Sequence, residues 1–446
     1  MSAASQARRR RGPEDLEIVA FERGDYTSYS ACGIPYLIGG SVPKVQSLIV
    51  RPPNVFRERQ SIDARIRHEV LAIDLAKRAL RVRALESGGE SWEGFDQLLI
   101  ATGGIPRRPP LEHSDARGIF GVQTLNDGLA VRTFLEEEHP KKAVVVGGGY
   151  IGLEMAEALV ARDLDVTLIE QRTQPMATFD PDMGAVISEG LTEMGIHVHT
   201  TETVVAFETI GAAVSAVLTT HGTIPADIVI LGLGTAPNIG LAAEAGVPIG
   251  TSGSIAVDER MQAEVPGVWA AGDCAEKFHR VSKENVSIAL GTHANKEGRV
   301  AGINLGGGQA TFPGVLGTAT SKVCGLELAR TGLNELEATS AGFDHLSATV
   351  DSTTRAGYYP GAAEIKTKVV FERGSGRLLG GQIIGQEGAA KRIDVIAVAL
   401  WNEMTVDEIV NLDLSYAPPF SPVWDPVLIA ARKAAQTIEA DAGGAD

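Results

Sequence analysis

Cys32 stands in DYTSYSACGIPYLIGG (residues 25–40), where serines and a glycine leave a thiol accessible and Pro35 with Tyr36 stiffens the following chain. A free cysteine is usually a small buried hydrophobe. This one lies just beyond a strand ending in Glu22, on the carboxyl edge where α/β sheets bind ligands, and that setting favours a reactive sulfur. A thiol of ordinary pKa, about 8.5, is mostly protonated at neutral pH, so its surroundings must shift it to make it useful. The other two cysteines, Cys274 and Cys324, read as structural. No CxxC or CxxxxC pair exists, which excludes a two-cysteine dithiol mechanism and any disulfide framework.

A second constellation handles a dinucleotide. In KKAVVVGGGYIGLEMAEALVARDLDVTLIEQ (141–171), the apolar run Ala143–Val146 meets Gly147-x-Gly149-x-x-Gly152. A helical stretch through Ala161 follows, then a strand, Val166–Ile169, that ends in Glu170. The glycines permit a tight turn and let backbone N–H groups approach a pyrophosphate at the helix N-terminus. Gly147, Gly149, Tyr150, Ile151 and Gly152 are therefore the expected nucleotide contacts. Glu170 can accept hydrogen bonds from a ribose 2′-hydroxyl and would repel a 2′-phosphate, which favours NADH over NADPH, although Arg172 leaves room for the latter. A bare GxGxxG is weak evidence; strand, turn, helix, strand and acid in order point to dinucleotide binding rather than a packing turn.

Further elements are needed to position these groups. LEIVAFERG (16–24) reads as a strand ending in Glu22 and Arg23, preceded by a helix over Ser2–Arg11, which is the second half of another such unit. Counting about 20 residues back from the acid reaches Met1, so the expectation is that this unit's first strand and glycine loop are absent from the chain. QLLIATGGIP (97–106) carries a buried strand into a turn at Thr102 and Gly103, and ILGLGTAPN (230–238) does the same at Gly234. GVWAAGDCA (267–275) delivers Gly272 and Asp273, and Asp273 could bond a ribityl or ribose hydroxyl. From about Thr311 the texture changes to TKVVFER, LLGGQIIG and AAKRIDVIAVALWNEM, strands followed by an amphipathic helix.

The whole reads as an α/β chain with two Rossmann-like dinucleotide-binding domains and a C-terminal α+β domain. The expected spans are 1–110 and 236–312 for the first domain, 111–235 for the second and 313–446 for the third. A chain of 446 residues suits about three domains. The net charge of −16 argues against nucleic acid or an anionic membrane as partner, since the summed field repels phosphate. No apolar run approaches 18 residues, and MSAASQARRRR lacks the apolar stretch of a secretory signal. With so few cysteines, a reducing compartment, the cytoplasm, is expected. No metal site is expected.

These pieces, in this order, resemble the pyridine nucleotide–disulfide oxidoreductases, and within them the single-cysteine branch of CoA-disulfide reductase, NADH oxidase and NADH peroxidase. SYSACGIPY, GGGYIGLEMAE, VWAAGDCAE, HANKEGR and SYAPPFSPVWDP carry the resemblance. Cys32-x-x-Pro35-Tyr36 and Tyr416-Ala-Pro-Pro look most like CoA-disulfide reductase. The resemblance implies FAD, NAD(P)H and coenzyme A as ligands. It places Glu22 on the adenosine ribose of FAD with Arg23 beside it, Thr102 and Gly103 along the flavin, and Asp273 on the ribityl chain. It places Ser2, Gln6, Arg9, Ser28 and His293 on coenzyme A, with the arginines flanking Arg9 read as solvated. Tyr358 and Tyr416 match active-site tyrosines contributed by the partner subunit, so a homodimer is implied. Two positions depart from the pattern: Ala31 where asparagine is common, and Gln60 where a lysine can serve coenzyme A.

The implied reaction is reduction of CoA disulfide, or of CoA persulfide, through a Cys32–S–S–CoA mixed disulfide. Two alternatives stay open. One is an NADH oxidase or peroxidase cycling Cys32 through a sulfenic acid. The other is a non-catalytic NAD-binding redox sensor, should the shortened first domain fail to hold FAD.

Overall fold

The Val-rich run ahead of the glycine turn becomes the central strand of a parallel sheet, as its continuous apolar character requires when helices cover both faces. In this computed structural model, which describes residues 1–443, that sheet has five strands. Their spatial order is His197–His199, Asp165–Ile169, Lys142–Val146, Ile228–Leu231 and Ile119–Gly121, all parallel. Val146 pairs with Ile169 on one side and Leu231 on the other, so the strand ends that precede Gly147, Glu170 and Gly232 lie level. Gly147 takes φ +99°, and a β-carbon on it would come within 2.6 Å of the Gly232 carbonyl oxygen. A β-carbon on Gly152 would stand 1.9 Å from the Gly147 carbonyl oxygen. At Gly152 the helix Tyr150–Val160 thus meets, backbone to backbone, the turn that leaves the strand feeding it.

The first domain holds two parallel pairs that are not hydrogen-bonded to each other: Val19–Glu22 with Asp63–Ile66, and Leu98–Ile100 with Val268–Ala270. An antiparallel sheet of His68–Asp74, Ala79–Ala84 and Glu90–Gly94 accompanies them. The amino-terminal helix, Ser2–Arg10, packs closely on the helix Gly291–Leu305 because the facing residues are small. A β-carbon on Gly302 would come within 2.3 Å of the Ala3 carbonyl oxygen.

Cys32 lies in a single 3₁₀ turn, Ala31–Gly33, that runs into the short helix Ile34–Gly39, with Pro35 in its first turn. Ile34, Leu37 and Ile38 of this helix are buried in the same core as Val145, Leu153 and Leu159 of the nucleotide unit. Each such side chain stabilises the docked segment by about 1.5–3 kcal/mol. Gly39 would meet Ala158 with a β-carbon at 3.2 Å, and Gly128 of the helix Leu125–Glu138 would meet Ile34 at 2.5 Å. The Cys32 segment is therefore wedged between two helices of the second domain.

The third domain is an antiparallel sheet ordered Ala319–Val323, Leu326–Gly332, Leu378–Gly385, Glu364–Glu372, His345–Thr353, covered by the helices Ile393–Trp401 and Pro426–Gly443. All of Leu378–Gly385 is buried. Among the described residues, no helix is long and apolar enough to cross a membrane, and no group of three or more His, Cys, Asp or Glu is placed to hold a metal ion.

The Gly152 contact sets the first expectation. Gly152→Ala forces a methyl onto a backbone oxygen that cannot yield, an overpacking cost of about 3 kcal/mol. Calorimetry should show a lowered unfolding transition for the nucleotide domain together with loss of NADH binding.

Candidate active site

Cys32 is an exposed residue, yet the groups around it oppose the thiolate. Desolvation by the surrounding protein comes first in raising the thiol above its usual value, and the carboxylates of Glu154 and Asp273 add to it. The backbone amide of Cys32 works the other way and does not prevail. Glu154 projects from the helix Tyr150–Val160 and accepts from the Ser321 hydroxyl at 2.8 Å; burial raises this acid as well. Sequence reasoning did not single out Glu154, although it lies within the GGGYIGLEMAE motif.

The glycine turns expected to line the flavin come together. Asn238 N–H donates to the Gly103 carbonyl at 2.8 Å, and the Thr102 hydroxyl donates to the Asn238 carbonyl at 2.5 Å. Gly103 and Gly234 both have positive φ and open space where a β-carbon would point; Gly149, with an ordinary φ of −81°, faces open space too. Cys274, buried below, donates to the Ile100 and Ala271 carbonyls and is structural. The turn bearing Asp273 is gripped by a buried ion pair that sequence reasoning missed. Lys277 and Glu297, both with fully buried side chains, lie 3.4 Å apart. Lys277 Nζ donates to the Gly272 and Ala275 carbonyls at 2.9 and 2.8 Å, while Glu297 accepts from Gly272 N–H at 2.7 Å. Burial raises Asp273 above the usual carboxylate range, with Lys277 opposing. Open glycine turns around a polar, rigidly held Asp273 fit an isoalloxazine with its hydroxylated chain.

At the nucleotide turn, Glu170 is buried, and its two oxygens accept from Gly148 N–H and Arg172 N–H, each at 2.8 Å. The glycine loop itself thus orients the acid. Tyr150 turns its ring inward and its hydroxyl is buried without a hydrogen-bond partner in suitable geometry. Ile151 follows it on the same helix, half-buried. Glu22 accepts from Gly24 N–H at 2.6 Å, and Arg23 makes an exposed ion pair with Glu69 at 3.7 Å.

The residues expected on coenzyme A divide. A cavity of about 380 Å³ is lined by Ser5, Arg8, Arg9, Arg51, Val55, Arg59 and Gln60. Four arginines and no carboxylate give it a positively charged lining. Arg9 lines it and donates one bond to the Gln6 side-chain oxygen at 3.4 Å. Arg8 is not solvated as expected, because it donates to the Gln60 and Ser61 carbonyls at 2.9 Å each. Ser28 adjoins the cavity through backbone: its carbonyl accepts from Val50 and Arg51 N–H. Ser2 sits at the helix end, bonded to Asn295 at 2.7 Å. His293 lies elsewhere, buried on the inner side of Gly291–Leu305; desolvation first, then Lys277 and Lys296, push it down to about 4, so it is neutral. Arg51 and Arg59 were missed, though RPPNVFRERQ is visibly a second basic stretch.

Tyr358 and Tyr416, far apart in sequence, meet on the surface of the third domain. The neighbouring Tyr416 hydroxyl raises Tyr358 above its ordinary value, and Ala356 N–H joins the two loops through the Pro418 carbonyl. Phe420, Val423 and Trp424 are exposed in the same Tyr416–Trp424 segment, leaving an apolar surface.

Known proteins match along nearly the whole chain. The profile described as pyridine nucleotide-disulphide oxidoreductase covers residues 1–298, and its dimerisation domain covers residues 318–426. The chain is 40% identical over 433 residues to a CoA-dependent NAD(P)H sulfur oxidoreductase of Pyrococcus abyssi, spanning 97% of this chain and 95% of that protein. It is 39% identical over 435 residues to a NAD(P)H coenzyme A polysulfide/persulfide reductase of Pyrococcus horikoshii, with the same coverage of 97% and 95%. The solved structure of a NAD-dependent persulfide reductase from A. fulgidus superposes with a TM-score of 0.95 at 37% identity, covering 98% of this chain and 82% of that one.

The carboxylates near Cys32 set a pH expectation. With its pKa raised, Cys32 in flavin-free protein should alkylate slowly at pH 7 and speed up only above the ordinary thiol range, about 8.5. Glu154→Gln removes one opposing charge, so the iodoacetamide rate profile should move to lower pH; an unmoved profile would show that Glu154 does not act on the sulfur.

Proposed function

The chain belongs to the pyridine nucleotide-disulphide oxidoreductase family, and from that premise we propose that it uses NAD(P)H to reduce coenzyme A disulfide or coenzyme A persulfide through the single thiol of Cys32. The observation that carries this reading is the arginine cavity and its backbone connection to the thiol. Ser28 and Ser30 bond to Arg51 and Leu48, so the strand-like segment that bears Arg51 runs beside the one that leads into Cys32. A ligand anchored by phosphate among Arg9, Arg51 and Arg59 is thereby directed toward the sulfur. A small disulfide without phosphate would have no use for that cavity.

Bound FAD, which Thr102, Gly103 and Asp273 would line and Glu22 would hold at its ribose, would supply hydride acceptance from NAD(P)H and two-electron delivery to sulfur. Cys32 holds one CoA as a mixed disulfide; two electrons and a proton cleave it to the Cys32 thiolate and free CoA thiol. That thiolate attacks a CoA disulfide, releases the second CoA as thiolate and restores the mixed disulfide. Tyr416 and Tyr358, brought by the partner subunit across the apolar surface around Phe420 and Trp424, hydrogen-bond the leaving sulfur and supply its proton. The net change consumes one NAD(P)H, one proton and one disulfide and yields two thiols. Gly147, Gly149 and the amides of Tyr150 and Ile151 hold the pyrophosphate of the nucleotide, and Glu170 its adenosine ribose. Three free cysteines suit a reducing, cytoplasmic setting.

Cys32→Ser should reduce NADH-driven cleavage of CoA disulfide to the background rate while leaving the flavin bound. Mass analysis of the untreated enzyme should find CoA on Cys32; a dimedone-trapped sulfenate with no CoA turnover would favour the oxidase or peroxidase reading. A colourless preparation that takes up no FAD would favour the sensor. Arg59→Ala and Arg51→Ala should each raise KM for CoA disulfide about tenfold, the worth of one charged hydrogen bond, with little change in kcat.

A further inference from the structure

We propose that Lys368 is a positioning residue for the pyridine nucleotide, the centre of a buried polar clamp by which the third domain fixes the loop that follows Glu170. The inference rests on the nucleotide reading above and deepens it. The loop of residues 171–180 leaves the ribose acid and ends at Asp180, which precedes the helix Pro181–Glu193. Its near end lies directly against the glycine turn. Met176 N–H donates to the Gly148 carbonyl at 2.7 Å, and a β-carbon on Gly148 would be 3.1 Å from Pro175. Gly148 N–H in turn holds a Glu170 oxygen. The position of the acid and the position of the loop are therefore one geometric problem.

The far end is held by the third domain. The Thr178 carbonyl accepts from Arg330 at 2.6 Å and from Asn334 at 3.1 Å. Asp180 exchanges two bonds with Gln382: its N–H donates at 2.8 Å, and its carboxylate accepts at 2.6 Å. A third bond comes from Glu335 N–H at 3.0 Å. Lys368 ties these groups together, with Nζ at 3.3 Å from Asp180, 2.8 Å from Asp182 and 2.9 Å from Glu335. Its side chain is 4% exposed and that of Asp180 3%. Burial on its own would raise Asp182 and Glu335, but Lys368 with the Thr349 and Ser347 hydroxyls holds both below their usual range. The cluster is thus ionic, and one ammonium keeps three carboxylates from repelling each other.

The third domain has no need of this clamp for its own fold. The strands bearing Lys368 and Gln382 pair with each other, and a large apolar core lies beneath them. What the clamp adds is a fixed distance between that core and the loop on Gly148. Removing the ammonium leaves the carboxylates facing one another, the loop end moves away, and Pro175 and Met176 lose their seat on the glycine turn.

The test uses the FAD-loaded enzyme. NAD+, which binds at the same site and cannot reduce the flavin, is titrated by the change in flavin fluorescence, and steady-state constants are measured for NADH and for CoA disulfide. In Lys368→Met, the NAD+ Kd and the NADH KM should rise about tenfold, a typical coupling between sites, while kcat and the disulfide KM hold; Lys368→Arg should recover most of the loss. If Lys368→Met does not fold, Asp182→Asn decides the matter, because that carboxylate is 43% exposed and its loss is tolerable. NADH constants unchanged in a variant whose unfolding midpoint falls would overturn the proposal and leave the cluster as glue between domains. A wild-type enzyme that binds NADH but turns over no CoA sulfur would count against the proposed substrate alone, since the titration needs no sulfur acceptor.

Discussion

At Gly152 the helix Tyr150–Val160 meets the turn that ends its own feeding strand without a side chain between, and this contact organises the rest of the molecule. Gly152 and Gly147 bring the two backbones together, which turns the first helical amides toward the nucleotide turn. One helical turn later Glu154 reaches Ser321 of the third domain, and Glu157 accepts from Cys324 N–H at 3.0 Å. At its end Ala158 receives Gly39, the last residue of the short helix that begins beside Cys32. One helix therefore touches the nucleotide turn, the thiol segment and the third domain. A shift at any of the three is felt at the others, because close-packed interiors transmit displacement rather than absorb it.

The electrostatics divide the labour differently from the packing. Around the sulfur the protein supplies carboxylates and desolvation, both of which oppose a thiolate. Favourable charge is placed elsewhere, in the arginine cavity of the first domain and in the buried Lys277 beside Asp273. A thiol in such surroundings is held in its protonated form more firmly than a free one. The buried pair Lys277–Glu297 is weak evidence for stability, since desolvation offsets most of its attraction. Its value lies in geometry: three hydrogen bonds from two charged groups fix the turn at Gly272.

Much of this was legible in advance, and the reason is local. Gly147-x-Gly149-x-x-Gly152 and Glu170 announce themselves because chain spacing dictates where a turn, a helix start and a strand end fall. Cys32 was legible for a similar reason, through the small residues before it and the stiff pair after it. Arg51 and Arg59 were not, since nothing in their own stretch says that it folds against the helix carrying Arg9. His293 looked like a ligand contact in HANKEGR, yet the helix phase turns it inward toward Lys277.

By itself the sequence determined the class of fold, the glycine turn after the central strand and the turn-rich segment that bears Cys32, all properties of contiguous residues whose backbone preferences act over one or two turns. Tertiary structure alone decided which charges meet. Lys368 joins Asp180 across 188 positions of chain, and Tyr358 finds Tyr416. Lys277 pairs with Glu297, both side chains fully buried. Such contacts depend on how domains pack, and packing is set by many weak apolar contacts summed over the whole core, a quantity that no local pattern of residues encodes.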